Sequence, residues 1–464
     1  MRLTRVQIDV WIVRLSLIAA ALVFVSPMFH YSELLPRALD FRTVYSSTRC
    51  LITGCNPYDA AQIKQAFIES GGEAFGEAQT GPLAGAWSWN PYQADYPVTA
   101  LGIVIPVAIL PWNYALLLWQ CIGAASLMIA ALCVVDLAKP YSPVLVPILV
   151  AALLARSSYL IEVGQPSCVA IALCAIATWA FLRDRWLAVG VVCFALSLTL
   201  KPQIGCFIWV YFFLASAAHR RKAIFAAAAT IAFCLPGLLL AASQPQSAHW
   251  LHDLSTNLSG IAAPGKSSDT SLLNHEAYHI VNLQSLVGVF VGDKANANRI
   301  AWAIIIVPFA AWVYITLRAR ASDAKDLFGL ATVALLTLLP VYHQNYDLRL
   351  LFLIFPALAL LKTKWRTAYW VGSILAVALI VWTSPLILAY ILHIPYADVQ
   401  SLGRLRFLTL FRPLQVLLVL LTAFYLYIYL RVLKSTRPTV SKRPEFRSIT
   451  HKLHPDHDPE FDAG

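Results

Sequence analysis

Apolar residues arrive along this chain in blocks of fifteen to twenty-five with almost no charge inside them, the length needed to cross roughly 30 Å of hydrocarbon. The first block, Trp11 to Met28, follows Arg2, Arg5 and Arg14 and has no small-x-small cleavage site after it, so it reads as a retained first span. Further spans are predicted near 113–137, 143–160, 166–182, 187–200, 203–218, 223–242, 299–317, 326–341, 348–361, 367–391 and 410–431, about twelve in all. The apolar run 98–110 is too short to span and is closed by Pro111, which predicts an interfacial or re-entrant helix. The expected fold is all-α: a polytopic membrane bundle over 1–433, with a tail over 434–464 that is rich in Pro, Lys, His and Asp and expected to be disordered.

Composition agrees with that pattern. Of 464 residues, 59% are hydrophobic and only 13% charged, about half the charge of an ordinary soluble domain. A soluble single-core enzyme and a secreted disulfide scaffold are excluded. The net charge of +11 would suggest nucleic acid, but its distribution explains it differently. With the N-terminus inside, 22 of the 35 basic residues fall on the cytoplasmic face, for a balance of +12 there and −1 outside. The excess is therefore a topology signal, and no nucleic-acid partner is expected. The same bookkeeping puts two long polar stretches, 29–96 and 243–298, on the outer face. The turns Glu162–Pro166, Lys201–Gln203 and Tyr342–Arg349 join them there. Most of the nine cysteines sit in spans as small apolar residues, whereas Cys50 and Cys55 lie in the first outer loop, where they either pair or remain free.

Candidate chemistry gathers on that face. Asp40, with Phe41, Arg42 and Tyr45 beside it, stands a dozen positions past the first span, where a carboxylate can take a proton from an attacking hydroxyl or be no more than a solvated loop acid. Lys201 can meet a phosphate as a point charge or snorkel to the interface. His343, Asp347 and Arg349 form a polar knot that can bind phosphate or a sugar hydroxyl, or pair internally. Gln165 can bind sugar or cap the helix that Pro166 begins. His275-Glu276-Ala277-Tyr278-His279 matches H-E-x-x-H, but no downstream Glu occurs before Glu445 to complete a zinc site, so a metalloprotease is disfavoured. His249 and His252 read as solvated or headgroup-facing rather than metal-binding. A transporter or flippase of a lipid-linked glycan is the other alternative. It would need polar residues at mid-membrane depth, yet Arg156 and Asp136 lie towards span ends.

Taken together, Asp40-Phe41 with Tyr45, the Gly54-x-Asn56-Pro57-Tyr58 run, Tyr96-Pro97, Gly164-Gln165-Pro166 and Lys201-Pro202-Gln203 resemble glycosyltransferase family 87, over about residues 30 to 350. Ser167 stands where the family has Asn, and Asn282 to Leu286 matches only loosely. The resemblance implies a GT-C-like bundle whose outer loops cap a cavity. It also implies transfer of a hexose, mannose being the expected one, from a polyprenyl-phosphate donor to a glycolipid or glycan acceptor with inversion, in the plasma membrane. By carry-over Asp40 is the general base. Lys201, His343 and Arg349 meet the donor phosphate, while Arg42, Tyr45, Asn56, Tyr58, Gln165, Gln203 and Asp347 orient sugars. No metal or other cofactor is expected, because cationic side chains can take its place.

Overall fold

The computed structural model describes residues 5–29, 38–73, 92–141, 144–271, 274, 279–381 and 412–435. The tail beyond 435, the end of the span expected at 367–391 and His275 to Tyr278 lie outside them. The described residues are helical, apart from turns and one isolated bridge between Ile280 and Gln344. In chain order the helices are α1 (Arg5–Val25), α2 (Leu39–Thr53), α3 (Ala60–Glu69), α4 (Val98–Ala108), α5 (Trp112–Ala138), α6 (Leu145–Ala155) and α7 (Ser158–Glu162). They continue with α8 (Pro166–Arg183), α9 (Leu187–Leu200), α10 (Pro202–Ala215), α11 (Ala217–Ala242), α12 (Trp250–Ile261) and α13 (Leu283–Val287). Then come α14 (Lys294–Arg318), α15 (Asp323–Thr337), the 3-10 segment Asn345–Ile354, α16 (Phe355–Lys364), α17 (Arg366–Val381) and α18 (Pro413–Ser435).

Among the described residues, seven stretches are long and apolar enough to cross a membrane: Gln7–Met28, Trp112–Ala138, Leu145–Glu162, Pro166–Arg183, Ala217–Ala242, Lys294–Arg318 and Pro413–Lys434. Other expected spans fold as shorter helices. The apolar stretch between 187 and 215 breaks at Lys201-Pro202 into α9 and α10, because Pro disfavours helical geometry in the residue before it and starts a new helix well. The exteriors of α1 and α11 are apolar: Leu15, Ile18, Leu22, Ile231 and Leu239 are more than half exposed, as lipid-facing residues are.

The helix α4 is short and apolar. Eleven residues rise about 16 Å, half a bilayer, and Val98, Leu101, Val104 and Ala108 are buried. It packs on α2, α9 and α11. Its contact with α11 depends on paired glycines, since a Cβ on Gly237 would stand 2.0 Å from the Val98 carbonyl oxygen.

One anchoring point fixes the first long polar segment to the bundle. The backbone of α2 begins against the turn after α7, with the amide of Ala38 donating to the Glu162 carbonyl (3.1 Å) and that of Asp40 to Val163 (3.0 Å). Phe41 stacks on Trp119 of α5, centroids 4.9 Å apart and planes within 9°, and the Trp119 indole donates to the Gly164 carbonyl at 2.8 Å. Gly164 has φ +65°, and a Cβ there would meet the Phe41 Cβ at 2.6 Å. Gly164→Ala should therefore push α2 off α5 and cost about 1–3 kcal/mol. A lowered midpoint of thermal unfolding in detergent, with most activity lost, is the expected result; an unchanged midpoint would show that the turn absorbs the methyl.

The second long polar segment clamps the first. From α12, Asp253 accepts from Asn56 Nδ2 (2.9 Å), and Asn257 Nδ2 donates to the carbonyls of Tyr58 (3.2 Å) and Ala94 (3.0 Å). Cys50 and Cys55, left open by the sequence, are joined as a disulfide with Cα atoms 4.9 Å apart.

Candidate active site

Four chain breaks converge where these segments meet the bundle: the start of α2, the turn before α8, the break between α9 and α10, and the turn leading into the 3-10 segment. Gln165 is the N-cap of α8, its Oε1 accepting from the Ser167 amide at 3.3 Å, with Pro166 at the first helical position. Capping leaves its amide NH₂ free to donate to Asp40 Oδ2 at 2.7 Å, while the Tyr96 hydroxyl donates to Oε1 at 3.2 Å. Of the two sequence readings for Gln165 the structure shows the helix cap, and it adds a contact that neither offered, the hydrogen bond to the Asp40 carboxylate.

Beside it, Lys201 is 7% exposed and donates to Ser167 Oγ and to Asp347 Oδ1, the latter at 3.2 Å. Its ammonium also lies 5.0 Å from the centre of the Tyr346 ring. Asp347 Oδ2 faces His343 Nδ1 at 2.9 Å, and His343 Nε2 faces the Thr337 carbonyl at 3.1 Å. One continuous network therefore runs Asp40, Gln165, Ser167, Lys201, Asp347, His343, with the Asp40 carboxyl at one end and the Lys201 ammonium and His343 ring around Asp347 at the other.

The electrostatics differ at the two ends. Burial and the like charge of Asp95 push the Asp40 carboxyl up to about 7, against the opposing pull of Lys201 and the Gln165 hydrogen bond. At Asp347 burial also opposes ionisation, but Lys201 and His343 overcome it and hold the carboxyl well below the usual range. Asp40 is thus poised to exchange a proton near neutrality, whereas Asp347 stays a fixed anion that positions Lys201 and His343.

The sequence model of glycosyltransferase family 87 matches residues 95–341, just over half of the chain. The chain belongs to glycosyltransferase family 87. No curated protein matches it. As a family 87 member it is a membrane glycosyltransferase, acting on a sugar donor and an acceptor. The matched segment contains Gln165, Ser167 and Lys201, and hydrogen bonds carry the network beyond it to Asp40 on one side and to His343 and Asp347 on the other.

Other residues expected to touch sugars in this family 87 chain hold the scaffold. The Tyr45 hydroxyl donates to the Leu110 carbonyl at 2.7 Å, and that of Tyr58 to Tyr96 at 2.9 Å. Asn56 ties α12 to the first segment, and Arg42, 6% exposed, lies with its guanidinium 4.8 Å from the Phe67 ring centre. Gln203 stands part-exposed in the first turn of α10. Arg349 shares a turn with Asp347 but turns away from Lys201, donating to Ser157 Oγ (3.2 Å) and to the carbonyls of Asn345 (2.9 Å) and Arg156. His279, the last residue of the H-E-x-x-H match, pairs its Nδ1 with Asn345 at 2.9 Å.

Sequence reasoning missed Asp95. Its carboxyl is pushed up to about 6 by burial, offset by Lys201, and it acts on Asp40 as a like charge. The available signal was an acid immediately before the Tyr96-Pro97 pair that opens α4. If Asp40 works ionised, kcat/KM falls as pH drops through its pKa. Removing a like charge lowers that pKa, so Asp95→Asn should move the acid limb of the pH profile to lower pH. A limb that stays in place would detach Asp95 from Asp40.

Proposed function

We propose that this glycosyltransferase moves a hexose, mannose being the expected one, from a polyprenyl-phosphate donor to a lipid-linked or glycan acceptor at the outer face of the plasma membrane, with inversion. In this reading the Asp40 carboxylate takes the proton of an acceptor hydroxyl as its oxygen attacks the anomeric carbon. The bond from that carbon to the phosphate oxygen breaks on the opposite side, and polyprenyl phosphate leaves. The leaving group is already an anion and needs no proton, but its charge grows in the transition state. Lys201 and His343, held in place by Asp347, meet that growing charge.

The observation that carries the reading is the hydrogen-bonded connection between the Asp40 carboxyl, poised near neutrality, and the Lys201–Asp347–His343 cluster. A base and a phosphate-binding cation must flank the anomeric carbon, and a carboxyl and an ammonium joined by one short relay support that assignment. The lipid-facing exterior gives further support. A nucleotide sugar is confined to the cytoplasm, so a transferase working outside needs a donor carried on a lipid.

Purified protein in detergent, supplied with polyprenyl-phosphate mannose and a glycolipid acceptor, should form a product heavier than the acceptor by one hexose. Product in the absence of a sealed bilayer separates transfer from flipping. Movement of lipid-linked glycan across proteoliposomes, with no new glycosidic bond, would refute the reading.

A further inference from the structure

Behind the turn that carries Asp347 lies a cavity of about 550 Å³, whose polar end is formed by Arg156 and Arg349 and whose apolar wall includes Val23, Leu153, Ile380 and Leu414. Its volume is that of a site for a drug-sized ligand. The two guanidinium groups are near enough to repel one another, and the described lining holds no carboxylate. His279 also lines the cavity, and burial lowers its pKa to about 4, so the positive charge belongs to the two arginines. Arg349 is almost wholly buried and spends its donors on Ser157 and on two carbonyls, whereas Arg156 is exposed. A paired positive charge beside an apolar wall has the form of a receptor for an anion that carries a hydrocarbon chain.

Its position in the bundle fits the same ligand. Its apolar wall is contributed by four apolar helices, Val23 from α1, Leu153 from α6, Ile380 from α17 and Leu414 from α18, and the two arginines close its other end. Val23 is itself 51% exposed. The donor phosphate, by contrast, must lie where Lys201 and His343 can reach it, on the Asp347 side of that turn.

We infer that this cavity binds the phosphate and upper chains of an anionic glycerophospholipid, as a site separate from the one that receives the sugar donor. The phosphate would accept from the Arg156 guanidinium under the field of Arg349, with the acyl chains along Val23, Leu153 and Leu414.

The test is a titration of the full-length protein in detergent with phosphatidylglycerol, phosphatidylcholine and polyprenyl phosphate, read by native mass spectrometry. Arg156→Glu should weaken phosphatidylglycerol binding by about ten- to a hundredfold, the worth of one charge-assisted hydrogen bond. Arg156→Lys should retain most of it, which separates loss of charge from loss of fold. Lys201→Met should leave it unchanged, and phosphatidylcholine should bind the wild type and Arg156→Glu alike. Equal phosphatidylglycerol binding by the wild type and Arg156→Glu would overturn the proposal. So would a dependence on Arg156 confined to polyprenyl phosphate, since the cavity would then belong to the donor. The readout needs no sugar transfer, so its failure leaves the transferase reading untouched.

Discussion

Asp40→Asn should leave the protein folded and membrane-inserted but lower its turnover by roughly 10²–10⁴-fold, the usual contribution of a positioned general base. The substitution is isosteric, and the Asn carbonyl oxygen can still accept from Gln165 Nε2, which now stands 2.7 Å from Asp40 Oδ2. The contact of α2 with the turn after α7 runs through backbone amides and is unaffected. Losing a negative charge beside Asp95 relieves repulsion, so thermal stability in detergent should hold or rise slightly. What disappears is the basic oxygen. The loss should fall on kcat, with KM for the donor little changed, because Lys201 and His343, which meet the phosphate in the proposed reaction, lie at the other end of the network. Near-normal turnover, or a loss confined to KM, would remove Asp40 from the role of base.

How much of this was legible in the sequence depends on the range of the interaction concerned. The lipid-facing helices were, because a bilayer demands long charge-free runs, and those over 112–138, 166–183, 217–242 and 294–318 match the expected spans within a few residues. That the apolar run 98–110 would not form a long span was also legible, and it folds as the eleven-residue α4. The remaining helices were harder to place. The segment expected as a span at 348–361 is divided between 3-10 and α-helix, because Asp347 and Gln344 form a capping box that tightens its start. Within the site, Asp40, Gln165, Lys201, His343 and Asp347 could each be named, but pattern alone could not separate working groups from scaffold. Tyr45, Tyr58 and Asn56 have the same chemistry as sugar-binding side chains. Only their partners, a carbonyl of Leu110, a carbonyl of Tyr96 and the carboxylate of Asp253, show what they hold. Asp95 was missed for a related reason, since its influence on Asp40 acts through space between segments 55 residues apart.

The cationic end of the network gives the second large effect. Lys201→Met keeps the length and apolar stem of the side chain but removes the charge, and should lower kcat by roughly 10²–10³-fold, as removal of a preorganised group opposite a developing anion does. Two consequences have to be separated. Lys201 is also the ion-pair partner of Asp347, which is 1% exposed, so the single variant leaves a buried carboxylate with His343 as its remaining partner. Breaking such a pair from one side typically costs about 3–5 kcal/mol. The double variant Lys201→Met/Asp347→Asn removes both charges and should recover much of the thermal stability. It should not recover turnover, because the leaving phosphate still lacks its cation. If the double variant regained activity along with stability, Lys201 would be a structural partner of Asp347 alone, and the leaving group would have to be met elsewhere. If stability returns while kcat stays low, the ammonium acts on the transition state itself. The Asp347 carboxylate then serves to hold that ammonium and the His343 ring in the positions the phosphate will need.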